Sequence, residues 1–325
     1  MKKIKFLLVF FFIIILFAMV IDPVENINSF FKGVQVWATV VLPALFPFFL
    51  FTKLLCELDI IDSICKYFNP ITKKLFNCDG LAGYIYFSSI ISGYPVGAKL
   101  VSEYYKKGLI SYGQAHRIST FASTSGPLFI IGTVGIGLFL SQKIGLIMLL
   151  SHYISALING LIYRNFKLND NQTPIPQKDE SININKNILQ ESMVNSITSI
   201  LIIGGYISIF FMLVNLINKY MLFSPIIWII SSLFKGINKG SISAFLNGIV
   251  EVTKGCFDLS ILNLSPNILA IIGAILISFG GLSIHMQAYT FLKDANIKYS
   301  FFLLQKTTHA IIAGLIACVL SLIMI

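Results

Sequence analysis

Charge is scarce in this sequence. Only 12% of its 325 residues are Asp, Glu, Lys or Arg, and 14 of those are acidic. Soluble domains keep about a quarter of their residues charged, so an ordinary soluble fold is excluded. Cysteine is sparse too: the five residues Cys56, Cys65, Cys78, Cys256 and Cys318 are odd in number and include no C-x-x-C pair, which argues against a disulfide framework and a zinc site. With four histidines there is no H-E-x-x-H, no paired Asp ladder and no Ser-His-Asp ordering. Gly93 to Lys99 lacks the spacing and the Ser/Thr of a phosphate loop. Neither catalysis nor a cofactor is expected. Apolar residues fill the space: 56% of the chain, with 28 Phe and a mean hydropathy of +0.83. Several runs reach the length that crosses a bilayer. The net charge of +10 is spread among those runs, as in the short loops of a membrane protein, and does not form a nucleic-acid-binding face.

Met1–Val20 places Lys2, Lys3 and Lys5 before an unbroken apolar run with a poor cleavage site, so it reads as an uncleaved first span. An outer loop follows to residue 32. The second span, 33–55, contains Pro43 and Pro47 and should kink there. A polar stretch, 57–80, returns along the cytosolic side. Residues 81–107 form two apolar arms of about twelve residues, which at about 1.5 Å per residue are too short for a ~30 Å hydrocarbon core. They are separated by Ser92-Gly93-Tyr94-Pro95, so the pair reads as a re-entrant helical hairpin. A third span, 114–140, is interrupted at Ser123-Thr124-Ser125-Gly126-Pro127, with Ser125 as the cap of its second part. The fourth span is 144–163, and 165–187 is a polar cytosolic linker between two halves, 33–164 and 188–325.

In the second half, span five covers 188–217. The short apolar pieces 224–234 and 241–252 belong at the interface or in a shallow hairpin. A second re-entrant hairpin is expected at 267–294, broken at Gly280-Gly281, and span six closes the chain at 299–323. Laying Gly281 on Gly93 puts Ser283 on Pro95 and Gln287 on Lys99. Three spans lie between the hairpins, an odd number, so they would enter from opposite faces. More of the 24 Lys and Arg then fall on the cytosolic side. The expected fold class is an all-α polytopic membrane protein, an inverted repeat with two re-entrant hairpins and broken transmembrane helices.

Irregular backbone at membrane depth needs protein or water as hydrogen-bond partner, so the breaks should line a site. The candidate residues are Ser92, Gly93, Tyr94, Pro95, Lys99, Ser123, Ser125, Gly126, Pro127, Gly280, Gly281, Ser283 and Gln287. Helix starts at Pro95, Pro127 and Ser283 offer positive potential to an anion. Tyr94 either stacks on a ring or anchors packing. Lys99 is a carboxylate counter-ion, or snorkels to the rim, or pairs with Glu103. Ser283, Gln287 and Thr290 share one helical face, a wet wall or a seam between helices. His285 points elsewhere, and His309, within span six, reads as structural.

The strings Ile-Ser-Gly-Tyr-Pro-Val-Gly-Ala-Lys (91–99), Ser-Gly-Pro-Leu-Phe-Ile-Ile-Gly-Thr-Val-Gly (125–135), Gly-Ile-Val-Glu-Val-Thr-Lys-Gly-Cys (248–256) and Ser-Phe-Gly-Gly-Leu-Ser-Ile-His-Met-Gln (278–287) resemble the YlbJ-type sporulation integral membrane proteins. That family belongs to the nucleoside-recognition, or gate-domain, group and looks distantly like concentrative nucleoside transporters. The resemblance implies movement of dipicolinate, a small aromatic dianion, from mother cell toward forespore across the outer forespore membrane. A nucleoside carrier and a non-transporting sporulation scaffold are the alternatives. The implied partners are the lipid bilayer, a small anionic substrate, and further copies or sporulation membrane proteins.

Overall fold

The computed structural model describes residues 2–56, 61–170, 188–234 and 236–325, and every element among them is helical. Most of the linker read at 165–187 lies outside the described residues. After α1 (Lys2–Ile21) the chain runs twice through one order of elements. The first pass is a long helix made of α2 (Pro23–Val36), a π-helical turn (Trp37–Val41) and α3 (Leu42–Cys56). It continues with α4 (Ile61–Phe76), the pair α5 (Leu81–Ser92) and α6 (Val96–Lys106), then α7 (Tyr112–Phe121), a gap, a π-helical stretch (Leu128–Leu138), and α8 (Gln142–Ile162). The second pass is the long α9 (Ile188–Lys219), the short α10 (Ser224–Leu233), the pair α11 (Lys239–Val250) and α12 (Val252–Ser260), the broken helix α13 (Pro266–Phe279) with α14 (Gly281–Leu292), and α15 (Tyr299–Met324).

Equivalent elements of the two passes lie antiparallel. Along α2 and α9, Ser29 bonds the Phe211 carbonyl, Gly33 faces Ser208, and Trp37 Nε1 donates to the Ile200 carbonyl at 3.1 Å, so one number rises as the other falls. Along α8 and α15, His152 meets His309 while Asn159 meets Gln305 and Thr308. Small buried residues let that second pair approach closely: Ser151, Ser155 and Ala156 on α8, Ala310, Ala313 and Ala317 on α15. Antiparallel equivalents are the signature of an inverted repeat.

Gln142–Ile162, Leu189–Lys219, Pro266–Ala295 and Tyr299–Met324 are long and apolar enough to cross a bilayer. A bent pair, Phe12–Ile21 and Pro23–Val41 at 108°, is a fifth candidate. The outer loop expected before residue 33 is therefore helical. Pro23 starts it where its missing N–H costs nothing, and Glu25 suits the first turn. The kink expected at Pro43 takes the form of the π-helical turn just before it, a wider turn that absorbs a lost donor.

The second hairpin is not at 267–294. Residues 266–295 run on as one apolar span broken at Gly280. His285 Nε2 donates to the Phe279 carbonyl at 2.9 Å, taking up an acceptor that the break frees and bridging the two half-helices. The folded-back pair is instead α11 and α12, turning at the extended residue Glu251. Gly248 and Gly255 make the turn possible, because a Cβ on Gly255 would lie 2.2 Å from the Gly248 Cα. The break at Gly280 corresponds to the gap at 122–127, where the expected interruption of the third span is found.

Candidate functional site

Four breaks in helical structure converge at one level. Gly93 takes a left-handed conformation (φ +72°) at the α5–α6 turn, and its Cβ position would lie 2.7 Å from the Gly126 amide nitrogen. In the second half Gly281 (φ +69°) holds the same relation to the other turn, 3.0 Å from the Gly248 carbonyl oxygen and 3.1 Å from the Val252 nitrogen. Each hairpin tip thus rests on the break of the broken helix that follows it. The two tips face one cavity, and Ser92, Gly93, Tyr94, Ser125, Gly126, Glu251, Thr253, Ser283 and Gln287 all line it.

That inner cavity holds about 50 Å³, room for a water molecule and not for an aromatic ring. A larger cavity of about 470 Å³ shares Ser92, Ile203 and Gln287 with it and extends along α6 and α9. This vestibule is walled by Lys99, Glu103, Tyr84, Tyr206 and Thr290 among others, a volume in the range that binds small molecules. Glu103 pairs with Lys107 (3.6 Å) rather than with Lys99. Lys99 is exposed to the vestibule and has no carboxylate partner among the described residues.

Four helices begin at the breaks: α6, the π-helical stretch, α12 and α14. Glu251 caps α12 with its own side chain, accepting from the Lys254 amide at 2.6 Å, while the other three starts carry no side-chain cap. The expectation that Ser125 caps its helix is corrected: its backbone is held instead, the amide donating to His152 Nε2 (2.9 Å) and the carbonyl accepting from the Tyr153 hydroxyl (3.0 Å). Because Nε2 accepts, His152 carries its proton on Nδ1 and donates it to Ser278 Oγ at 2.8 Å. The gap therefore hangs from α8 and, through Ser278, from α13.

Of the residues predicted from sequence, Ser92, Gly93, Tyr94, Ser125, Gly126, Ser283 and Gln287 line the inner cavity, and Pro95 and Lys99 line the vestibule. Ser283, Gln287 and Thr290 share the cavity-facing side of α14, as their spacing predicts. Ser123, Pro127, Gly280 and Gly281 shape the breaks without lining either cavity. The predicted helix start at Ser283 lies two residues early, at Gly281. Tyr94 lines the inner cavity and anchors packing, its buried hydroxyl donating to the Ile277 carbonyl at 3.3 Å.

Sequence reasoning missed Glu251, Thr253, His152 and Lys306. The first two lie at the tip of the hairpin that was misplaced. The last two are polar residues within apolar runs, a signal that was present but submerged.

No family model and no solved structure matches the chain. It is 26% identical to the sporulation integral membrane protein YlbJ of Bacillus subtilis (strain 168), a similarity that takes in 98% of this chain and 84% of that protein. Both hairpins, both broken helices and the closing helix α15 lie within a match of that extent, so the chain is similar over nearly its whole length to a sporulation integral membrane protein.

Proposed function

We propose that this protein is a transporter that carries dipicolinate, pyridine-2,6-dicarboxylate, from mother cell toward forespore across the outer forespore membrane, without chemical change. The carrying observation is Lys99, a cation without a carboxylate partner among the described residues, in a cavity of about 470 Å³ that adjoins four converging helix breaks. Three uncapped helix starts add positive potential at no cost of a buried charge. Tyr84 and Tyr206 offer flat apolar surface to a pyridine ring. In the bilayer, the α5–α6 and α11–α12 pairs dip in from opposite faces, and the substrate binds between their tips.

A second reading, a nucleoside carrier, draws on Glu251, Thr253, Ser283 and Gln287 in the inner wall, a set that suits the hydroxyls of an uncharged ligand. Uptake by vesicles bearing the purified protein separates the two. Dipicolinate should accumulate, uridine should not compete, and Lys99→Gln should raise the dipicolinate KM about tenfold, less so at high salt. Uridine competition without dipicolinate flux would overturn the first reading. Spores that lose dipicolinate yet assemble normally separate transport from scaffolding.

A further inference from the structure

Lys306 lies on α15 and is only 1% exposed. Its Nζ reaches into the first half of the chain, donating to the Tyr94 hydroxyl at 2.6 Å and to the Ser123 carbonyl at 3.1 Å, and it lies 4.7 Å from the centre of the Tyr94 ring. In its charged form the amine has three donors. The third has no partner among the described residues, and no carboxylate pairs with it there. A lysine within a membrane protein without a counter-ion is costly and needs a reason. Beside it the Ser123 hydroxyl is buried and also without a partner among the described residues. Glu251 does not serve as the missing anion: its carboxylate is taken up by the Lys254 amide and by hydrogen bonds from Thr253 and Ser283. What separates Lys306 from the inner cavity is Tyr94, whose ring is wall on one side and whose hydroxyl is bonded to the amine on the other.

We infer that Lys306 and the Ser123 hydroxyl form an inner anion subsite that Tyr94 covers, and that a substrate carboxylate takes the place of the Tyr94 hydroxyl when the hairpin tip shifts. This rests on the dicarboxylate reading and deepens it. Lys99 meets the substrate in the vestibule, and Lys306 receives one of its carboxylates at the level of the breaks. The inner cavity is too small for a ring while Tyr94 is in place, so the subsite becomes available only with that movement.

The experiment uses the full chain in vesicles, with dipicolinate, the monoanion pyridine-2-carboxylate and the neutral pyridine-2-carboxamide as probes. Lys306→Gln should weaken dipicolinate binding by about thirtyfold or more, as expected for loss of one partner of a desolvated charge pair, with little effect on the carboxamide. Lys306→Arg should retain most of the affinity. Tyr94→Phe releases the amine from its one side-chain partner among the described residues and should leave dipicolinate binding equal or tighter. If Lys306 merely anchored the tip, Tyr94→Phe and Lys306→Gln would fall together and all three probes would be affected alike; that result overturns the inference. Lys306→Gln with unchanged dipicolinate affinity overturns it as well, while leaving the transport reading intact. An unaltered protein that binds no dipicolinate takes both down.

Discussion

Gly97 gives the sharpest test of the packing. It lies on α6, where that arm crosses the gap of the first broken helix. A Cβ there would be 1.6 Å from the Ala122 carbonyl oxygen and 2.8 Å from its carbon. Carbon and oxygen settle at roughly 3.3 Å or more, so in Gly97→Ala the arm and the gap must part by roughly 1.7 Å. The obstacle is backbone, and no rotamer change relieves it. Overpacking of this kind costs about 1–3 kcal/mol. The shift also strains Ser89, which bonds Thr124 Oγ1 at 2.9 Å and accepts from the Thr124 amide at 3.2 Å. Two buried bonds at about 1 kcal/mol each bring the loss to about 3–5 kcal/mol. Alanine returns about 1 kcal/mol of helix propensity, leaving a net loss of about 2–4 kcal/mol. Gly205→Ala on α9 is the control, since a Cβ there meets nothing within 4 Å. Thermal unfolding of the purified protein in detergent should show Gly97→Ala well below the unaltered chain and Gly205→Ala level with it or above. Equal melting of the two variants would refute the close crossing of arm and gap.

Two further comparisons test the breaks by the same measurement. Gly281→Ala combines a left-handed backbone (φ +69°) with backbone atoms at 3.0 and 3.1 Å, and should lose more than the ~1–2 kcal/mol of the conformation alone. Gly126→Ala, with its nearest neighbour at 3.5 Å, should stay within about 1 kcal/mol of the unaltered chain. Asn159→Ala removes the buried link from α8 to the Thr120 and Gln305 carbonyls and to Thr308, and should cost about 1–3 kcal/mol, read as lower yield of folded protein and a lower melting midpoint.

Signals that are local and strong were legible in the sequence. Gly93 and Pro95 between two short apolar arms marked the first hairpin, and Ser123 to Pro127 inside an apolar run marked the first gap. The second hairpin was not legible, because its turn is one residue, Glu251, with no proline and no glycine at the bend. The glycines that permit it, Gly248 and Gly255, lie on the arms, where they read as ordinary helix-packing positions. Gly280-Gly281 drew attention instead, and two glycines in succession do break the helix there. What keeps the halves in line is His285 reaching back to Phe279, a tertiary detail that no period or propensity reveals. Lys306 was hidden differently. Its partners, Tyr94 and Ser123, are distant in sequence, so its spacing carried no message.

The relocated hairpin makes the inverted repeat more exacting. With the turn at 251, each half is one long helix, one short helix, one folded pair, one broken helix and one closing helix. If the long, broken and closing helices of each half cross and the folded pairs do not, each half crosses an odd number of times and the halves are inverted, in agreement with the antiparallel runs of α2 with α9 and of α8 with α15. The open ends of the two pairs then lie on opposite faces: Gly108 after α6, Ile261 after α12. Single cysteines at Gly108 and Ile261, in a chain with its five native cysteines replaced, give the measurement. A membrane-impermeant maleimide added to intact cells and to inverted vesicles should label one position from each side. A cysteine at Ser125, 3% exposed between the tips, should react from neither side while the cavity is closed. Labelling of 108 and 261 from the same face would mean that the number of crossings between the pairs is even. The two tips could not then meet from opposite leaflets, and transport through the cavity they line would have no physical basis in this fold.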